Sequence, residues 1–377
     1  MGCLVLKSKG KPQFIDLFST DSLLSLKLGN YLTVQEAFNL TKGRYKDDLY
    51  QDQRLIRLIW PDRLMDAIGQ ADRVYFSPDG LVHQWAIEYI IPDTTKTCYR
   101  LSTTGNLVKR PPSPKMSSAL LCGGIHFAAD ITPVEKDNDY MAYRYLKAKG
   151  GVFRELRWTE IEVDSIRACR NNPNDTLLKG DDATDEKVLE LLRSHQYDIL
   201  HFTTHGNFEG EINIQNELRP LPEDIDLSRS ALAFAGSETT LRDRYFDEEY
   251  SDGLLSGTEI SRLDLSKTEL VVLNACQTGQ GHLTEDGIYG FQRAIKQAGA
   301  HSMIVTLWSV FEDSSALLLQ FFYEEIEKQP SEKKDIHSAF FTARDRLKSY
   351  VLHVNSYTTR YFDKPQDLNP FVLIDVY

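Results

Sequence analysis

Two segments carry side chains whose types and spacing can do chemistry. "YDILHFTTHG" (197–206) runs through apolar residues and closes on His205-Gly206, and "LVVLNACQTG" (270–279) does the same and closes on Asn274, Ala275 and Cys276. A free thiol, with a pKa of about 8.5, is only roughly 3% thiolate at neutral pH. An imidazole beside it can remove its proton or stabilise the thiolate, and then protonate a leaving amine. Gly206 has no side chain to obstruct its N–H. Together with the N–H of Cys276 it can form an oxyanion hole, where losing one donor costs about 2.7–4 kcal/mol of transition-state stabilisation. Taken alone, a cysteine closing an apolar run is more often a small buried hydrophobe than a nucleophile. A histidine before a glycine says as little. The pair gains meaning jointly, as strand, His-Gly, strand, Cys-x-x-Gly.

The elements that must position this pair follow from periodicity. "SALLCGGI" (118–125), 197–206, 268–279 and "HSMIVTLWSV" (301–310) read as strands, and "PFVLIDVY" as a last one. Between them, 157–170, 182–196, "GIYGFQRAIKQAGA" and stretches near 314–328 and 336–352 read as helices. Thr184 is placed to cap the second of these, with Asp185 and Glu186 at its positive end. Alternation of apolar strands with helices predicts an α/β fold, a mostly parallel sheet flanked by helices on both faces. In such a sheet functional groups collect at the carboxyl ends of the strands. Neighbouring strands about 4.8 Å apart would raise His205 and Cys276 from one edge. Upstream, 50–70 reads as helix interrupted by Pro61, and "DRVYFSPDGLVHQWAI" as strand, turn, strand. The basic, Pro-rich 108–118 reads as a linker, dividing an N-terminal supporting region (1–115) from a catalytic domain (116–377). The acidic stretch 207–256, with one apolar patch "ALAFAG", reads as a surface insertion.

The other candidates are weaker. His201 lies mid-run and reads as a core histidine, His282 and His301 as structural residues. His126, after "CGGI", is a lesser candidate for a substrate cleft. The five cysteines (3, 98, 122, 169, 276) form no CxxC pair, and there is no HExxH, so neither a metal site nor a disulfide framework is expected. No phosphate loop or dinucleotide fingerprint appears, so no cofactor is expected. A serine hydrolase would need G-x-S-x-G, and "GLLSG" has the wrong spacing. The chain has 377 residues, a net charge of −12 and a pI near 5.3, which argues against direct nucleic-acid binding. Leu6 stands where a myristoylation signal needs Ser or Thr. No apolar stretch approaches the roughly 20 residues that span a bilayer. A soluble protein in a reducing, cytoplasmic setting is expected.

These segments together resemble the CHAT proteases, relatives of caspases and separase. Beyond the two strand ends, "VYFSPDGLVHQWAIEYI", "YRLSTTGNLV", "SALLCGGIHF", "EDGIYGFQRAIKQAGAHSMIVTLWSV" and "PFVLIDVY" are similar to successive blocks of that family, from about residue 50 onward. The resemblance implies a caspase-like fold and a Cys-His dyad. His205 is then the general base, Cys276 the nucleophile, and the amides of Gly206 and Cys276 the oxyanion donors. The separation of 71 positions from His205 to Cys276 exceeds the caspase interval of about 50, and the acidic insertion accounts for the excess. The resemblance also implies that the pocket for the residue before the cut is lined by Gly124–His126, by Asn274 and by "LWSVFEDSS". In separase-like enzymes an acidic residue of that last segment pairs a substrate arginine. Glu312 and Asp313 stand there, although both also precede a helix, where acidic residues favour the dipole. Asn274 is neutral and adds nothing to a basic preference.

Caspase-like enzymes are commonly latent until a loop moves or is cut. Arg242 and Arg244 in the insertion and Lys109-Arg110 in the linker offer basic sites for self-cleavage. Family relatives attach this domain to a sensor such as a helical repeat array. None is visible here, so activation would call for a regulatory protein in trans or a longer parent chain. The expected partner is a protein substrate. A catalytically silent caspase-like interaction module is the alternative, and bacterial defence is what the family suggests for bacterial members.

Overall fold

Short segments of four to seven residues, five of them unbroken or nearly unbroken apolar runs, form the strands of one eight-stranded sheet. In the computed structural model the described residues are 1–28, 32–34, 36, 44–108, 114–129, 153, 155–208, 227, 230–238, 252–276, 278, 279, 282–284, 287–355 and 358–376. In chain order the sheet strands are β1 (Arg73–Phe76), β2 (Thr97–Leu101), β3 (Ala119–Ile125), β4 (Thr176–Gly180), β5 (Ile199–Thr203), β6 (Leu270–Asn274), β7 (Ser302–Thr306) and β8 (Phe371–Asp375). They lie in the order β1-β2-β8-β7-β6-β5-β3-β4. All neighbours are parallel except β7 and β8. Five strands therefore run one way, and β8, β2 and β1 run the other.

Side-chain alternation sends Leu200, Phe202, Val271, Leu273, Met303 and Val305 to one face. Ile199, Leu270, Val272 and Ile304 go to the other. Helices α1 (Arg157–Arg170), α4 (Glu312–Glu327) and α5 (Ile336–Ser349) cover the second face, while α2 (Asp185–Ser194) and α3 (Phe291–Ala298) cover the first. Each fully buried aliphatic or phenyl side chain in these layers contributes about 1.5–3 kcal/mol. The helix ends follow local chemistry. Thr184 accepts from Lys187 N at the start of α2, Asp335 accepts from Ser338 N before α5, and Gly299, at φ 94°, closes α3.

Four expectations need correction. The second strand of "DRVYFSPDGLVHQWAI" is instead a pair of 3-10 turns, Gly80–Gln84 and Ile87–Tyr89. Its carbonyls are gathered by a buried cation. The Arg100 guanidinium donates to Trp85 O at 2.5 Å and to both oxygens of Glu88 at 2.8 and 2.7 Å. The helix expected over 287–300 begins only at Phe291, because 287–289 pairs with 282–284 as a hairpin packed on Gly80–Gln84. A second unforeseen hairpin, Val351–Asn355 with Thr358–Tyr361, follows α5. Lastly, "ALAFAG" is core rather than surface. Ser230–Ala233 pairs with Gly206–Phe208 and with Leu254–Ser256, and Leu232, Phe234 and Leu255 are fully buried. Arg242, Arg244, Lys109 and Arg110 lie outside the described residues.

Candidate active site

From β3 the chain passes outward to β4 and then returns across β3 to β5, with α1 and α2 on opposite faces. The strand order thus reverses at β3/β5, where an α/β sheet opens a crevice beyond the carboxyl ends of its strands. His205 and Cys276 both lie at this edge. β5 and β6 pair in parallel register from Ile199↔Leu270 to Thr203↔Asn274, and Thr204 N donates to Asn274 O at 3.1 Å. His205 and Cys276 each stand two residues past the last paired position, so both are carried the same distance beyond the sheet. The turn after β5 rests directly on the turn after β6. A Cβ added to Gly206 would lie 2.7 Å from Ala275 Cβ, 3.0 Å from Cys276 O and 3.3 Å from Thr278 Cγ2. Only a residue without a side chain permits this approach.

The Cys276 turn is pinned by Thr278 and Gly279. Thr278 Oγ1 donates to Leu273 O at 3.2 Å, and Thr278 N and Gly279 N donate to Thr306 Oγ1 and Thr306 O at the end of β7. Thr306 Oγ1 donates in turn to Ala275 O. Cys276 itself is half-buried. His205 is half-buried between two rings, those of Phe153 (centroids 5.1 Å apart, stacked) and Phe127 (5.0 Å). Its carbonyl accepts from Ala233 N at 2.9 Å, which fixes the turn from the other side.

Beneath the edge lies a buried polar cluster. Glu162 of α1, 2% exposed, accepts from Asn274 Nδ2 at 2.7 Å and Thr203 Oγ1 at 3.2 Å, and its other oxygen is 2.8 Å from His201 Nε2. His201 Nδ1 is bonded to Tyr323 OH at 3.1 Å, and burial pushes that phenol well up. His201 is thus a fully buried histidine with both nitrogens bonded, and Asn274, 5% exposed, has spent its amide hydrogens on Glu162 and Thr203. The remaining expected site residues stand as follows. His126, just past β3, is exposed and paired through Nδ1 with Asp181 at 2.7 Å. Glu312 opens α4 and accepts from Trp158 N at 3.4 Å, capping the start of α1. Asp313 is engaged by Arg360 Nε at 3.0 Å. Phe127, Phe153 and Glu162 were not anticipated. For the two rings no local signal exists. For Glu162 there was one, a glutamate on the same helical stripe as Thr159, Val163 and Ile166.

Among the described residues, no group of three or more His, Cys, Asp or Glu side chains is placed to hold a metal ion, and no helix is long and apolar enough to cross a membrane. Strand order and site define a mostly parallel α/β protein with a histidine and a cysteine at one sheet edge. The chain belongs to the CHAT domain family, whose model matches residues 53–351. Over 161 residues, 40% of this chain, it is 28% identical to Tetratricopeptide repeat protein 28 of Homo sapiens and 29% identical to that of Mus musculus. The match spans 6% of the length of those relatives. Among solved structures it is similar to the Arg-specific cysteine proteinase gingipain R (TM-score 0.45, 10% identity, 93% of this chain and 68% of that one). It is likewise similar to the complex of Porphyromonas gingivalis RgpB pro- and mature domains (TM-score 0.44, 10% identity, 93% and 70%).

Proposed function

We propose that the protein is a cysteine endopeptidase working through Cys276 and His205. His205 takes the thiol proton, and the Cys276 thiolate attacks the scissile carbonyl carbon. The tetrahedral oxyanion is held by the N–H groups of Gly206 and Cys276. As it collapses, the C–N bond breaks and His205 returns the proton to the leaving amine. Water, deprotonated by His205, then hydrolyses the thioester and frees the thiol. The observation that carries this reading is the register. Parallel β5 and β6 end on paired Thr203 and Asn274, and the two reactive side chains follow at equal intervals on turns that touch through Gly206.

For the residue before the cut we favour a basic side chain. Glu312 accepts from Trp158 N and Asp313 is engaged by Arg360, and both stand at the start of α4 beyond the carboxyl end of β7; we assign the preference to Glu312, with His126 as a further contact at the same edge. A carboxylate desolvated without its cation is costly, so such a pocket would discriminate strongly against neutral residues. A regulatory protein in trans fits a chain whose curated relatives are tetratricopeptide repeat proteins.

The test is cleavage of a peptide panel varying only that residue (Arg, Lys, Leu, Met, Asn, Asp), with Cys276→Ala and His205→Ala beside wild type. Loss of turnover in both variants, with Arg or Lys preferred, is the expected result. Preference for Leu or Met would keep the dyad and remove the acidic pocket. Silence across the panel, with no labelling of Cys276 by a peptide-directed electrophile, would leave an interaction module.

A further inference from the structure

We infer that Glu162 is a positioning residue that ties together the two strand ends carrying His205 and Cys276. The inference rests on the peptidase reading above. Its basis is that one carboxylate reaches both strands. The oxygen Oε2 accepts from Thr203 Oγ1 at 3.2 Å and from Asn274 Nδ2 at 2.7 Å, and the amide also donates to Thr203 Oγ1 at 3.2 Å. Thr203 and Asn274 are the paired terminal residues of β5 and β6. His205 and Cys276 lie two residues beyond them, so any sliding or splaying of these ends changes the His205–Cys276 geometry directly. The ladder alone does not prevent this, because it stops at that point and only Thr204 N continues it.

The rest of the cluster makes the tie rigid. Glu162 comes from a fourteen-residue helix rather than a loop, and its second oxygen is held by His201, itself backed by Tyr323 from α4. Gly123 lets α1 come this close. A Cβ there would lie 2.6 Å from Thr203 Cγ2 and 2.7 Å from Val163 Cγ1. With the carboxylate buried, Oε2 accepts from Thr203 Oγ1 and Asn274 Nδ2, while Oε1 faces His201 Nε2, which donates in the tautomer whose Nδ1 accepts from Tyr323 OH. An amide of the same shape turns its N–H₂ either toward Thr203 and Asn274, so that the strand ends must shift, or toward His201 Nε2, which must then give up its proton and reverse its bond to Tyr323.

The experiment is steady-state cleavage by the full chain of the best peptide from the panel, with the pH profile of Cys276 alkylation by iodoacetamide as a second readout. Glu162→Gln should lower kcat by about tenfold to a hundredfold while KM stays within about twofold, the signature of lost alignment rather than lost binding. It should also displace the alkylation profile. The double variant Glu162→Gln with Asn274→Asp reverses donor and acceptor across the same contact, with Thr203 donating to the new carboxylate, and should recover most of the loss. A folded Glu162→Gln protein with wild-type kcat overturns the inference, as does a folded double variant no faster than the single one. If Glu162→Gln does not fold, Thr203→Val removes one tie at constant shape. It should slow kcat at least about threefold with KM retained, and unchanged kcat overturns the inference. Wild-type turnover that depends on Cys276 but ignores these variants removes this inference alone. The absence of any Cys276-dependent turnover removes the peptidase reading and this inference with it.

Discussion

Gly206 has no room for a methyl group, and the atoms in the way belong to the turn that carries Cys276. Gly206→Ala should therefore cost about 1–3 kcal/mol of stability through overpacking and, by pushing the two turns apart, lower turnover more than stability alone would. Urea denaturation and peptide cleavage on the same preparation check this. A second expectation concerns the thiols. Burial pushes those of Cys3, Cys98, Cys122 and Cys169 up, that of Cys98 to about 12, so each carries little thiolate at neutral pH. One equivalent of iodoacetamide should modify Cys276 first, read by peptide mass, and His205→Ala should slow that labelling without bringing the buried thiols ahead of it. Equal labelling of half-buried Cys3 or Cys169 would count against an activated Cys276. At this scale the proposed pair stands out because a thiol and an imidazole each close an apolar run, a pattern carried by residue type and local order. Glu162 was harder. "TEIEV" offers two glutamates, and only the packing of α1 onto the sheet turns Glu162 inward while Glu160 stays exposed.

Elements with their own start and stop chemistry were readable from the chain: α2 from Thr184, α5 from its apolar period, and β3, β5, β6, β7 and β8 from unbroken apolar runs, whereas β2 and β4, each with a charged residue, were not. Elements held by distant groups were not. The 3-10 turns at 80–89 exist because Arg100, from the next strand, gathers their carbonyls, and the 282–289 hairpin rests on those turns. One titrating group sits in such a piece and a second, Asp367, is paired with Arg360 of the 351–361 hairpin, and they pull in opposite directions. His83, buried and then further disfavoured as a cation by Arg100, is held down to about 4. The unfolded chain binds its proton near 6.5 and the fold does not, so this contribution is complete above 6.5 and is lost as pH falls toward 4, worth about 3 kcal/mol in all. Asp367 is pushed up to about 6 by burial, against the pull of Arg360. The fold keeps its proton after the unfolded chain has lost it, so that contribution is complete below about 3.8 and disappears as pH rises through 6, again by about 3 kcal/mol. Denaturation at pH 4, 5, 6 and 7 should show His83→Gln gaining on wild type as pH falls, and Asp367→Asn gaining as pH rises.

Across the whole molecule, the N-terminal residues share the sheet with the strands that lead to His205 and Cys276. β2 pairs with β8, Ser102 N donates to Asp375 O at 2.8 Å, Tyr89 OH donates to Phe371 O at 2.8 Å, and the Tyr50 ring lies 5.5 Å from that of Trp308. A chain beginning at Met116 would leave β8 as an open edge and uncover the apolar surface under Trp308. It should be recovered aggregated or as a molten species, which size exclusion and near-UV circular dichroism would show. The same seam has a consequence in time. β8 lies between β2 and β7, yet it is synthesised after both, with some 270 residues separating it from β2. During translation the two halves of the sheet have no strand to join them, and contacts of such long sequence separation form slowly. A nascent chain already bearing His205 and Cys276 is therefore still an incomplete sheet until β8 has been made to fill its central seam.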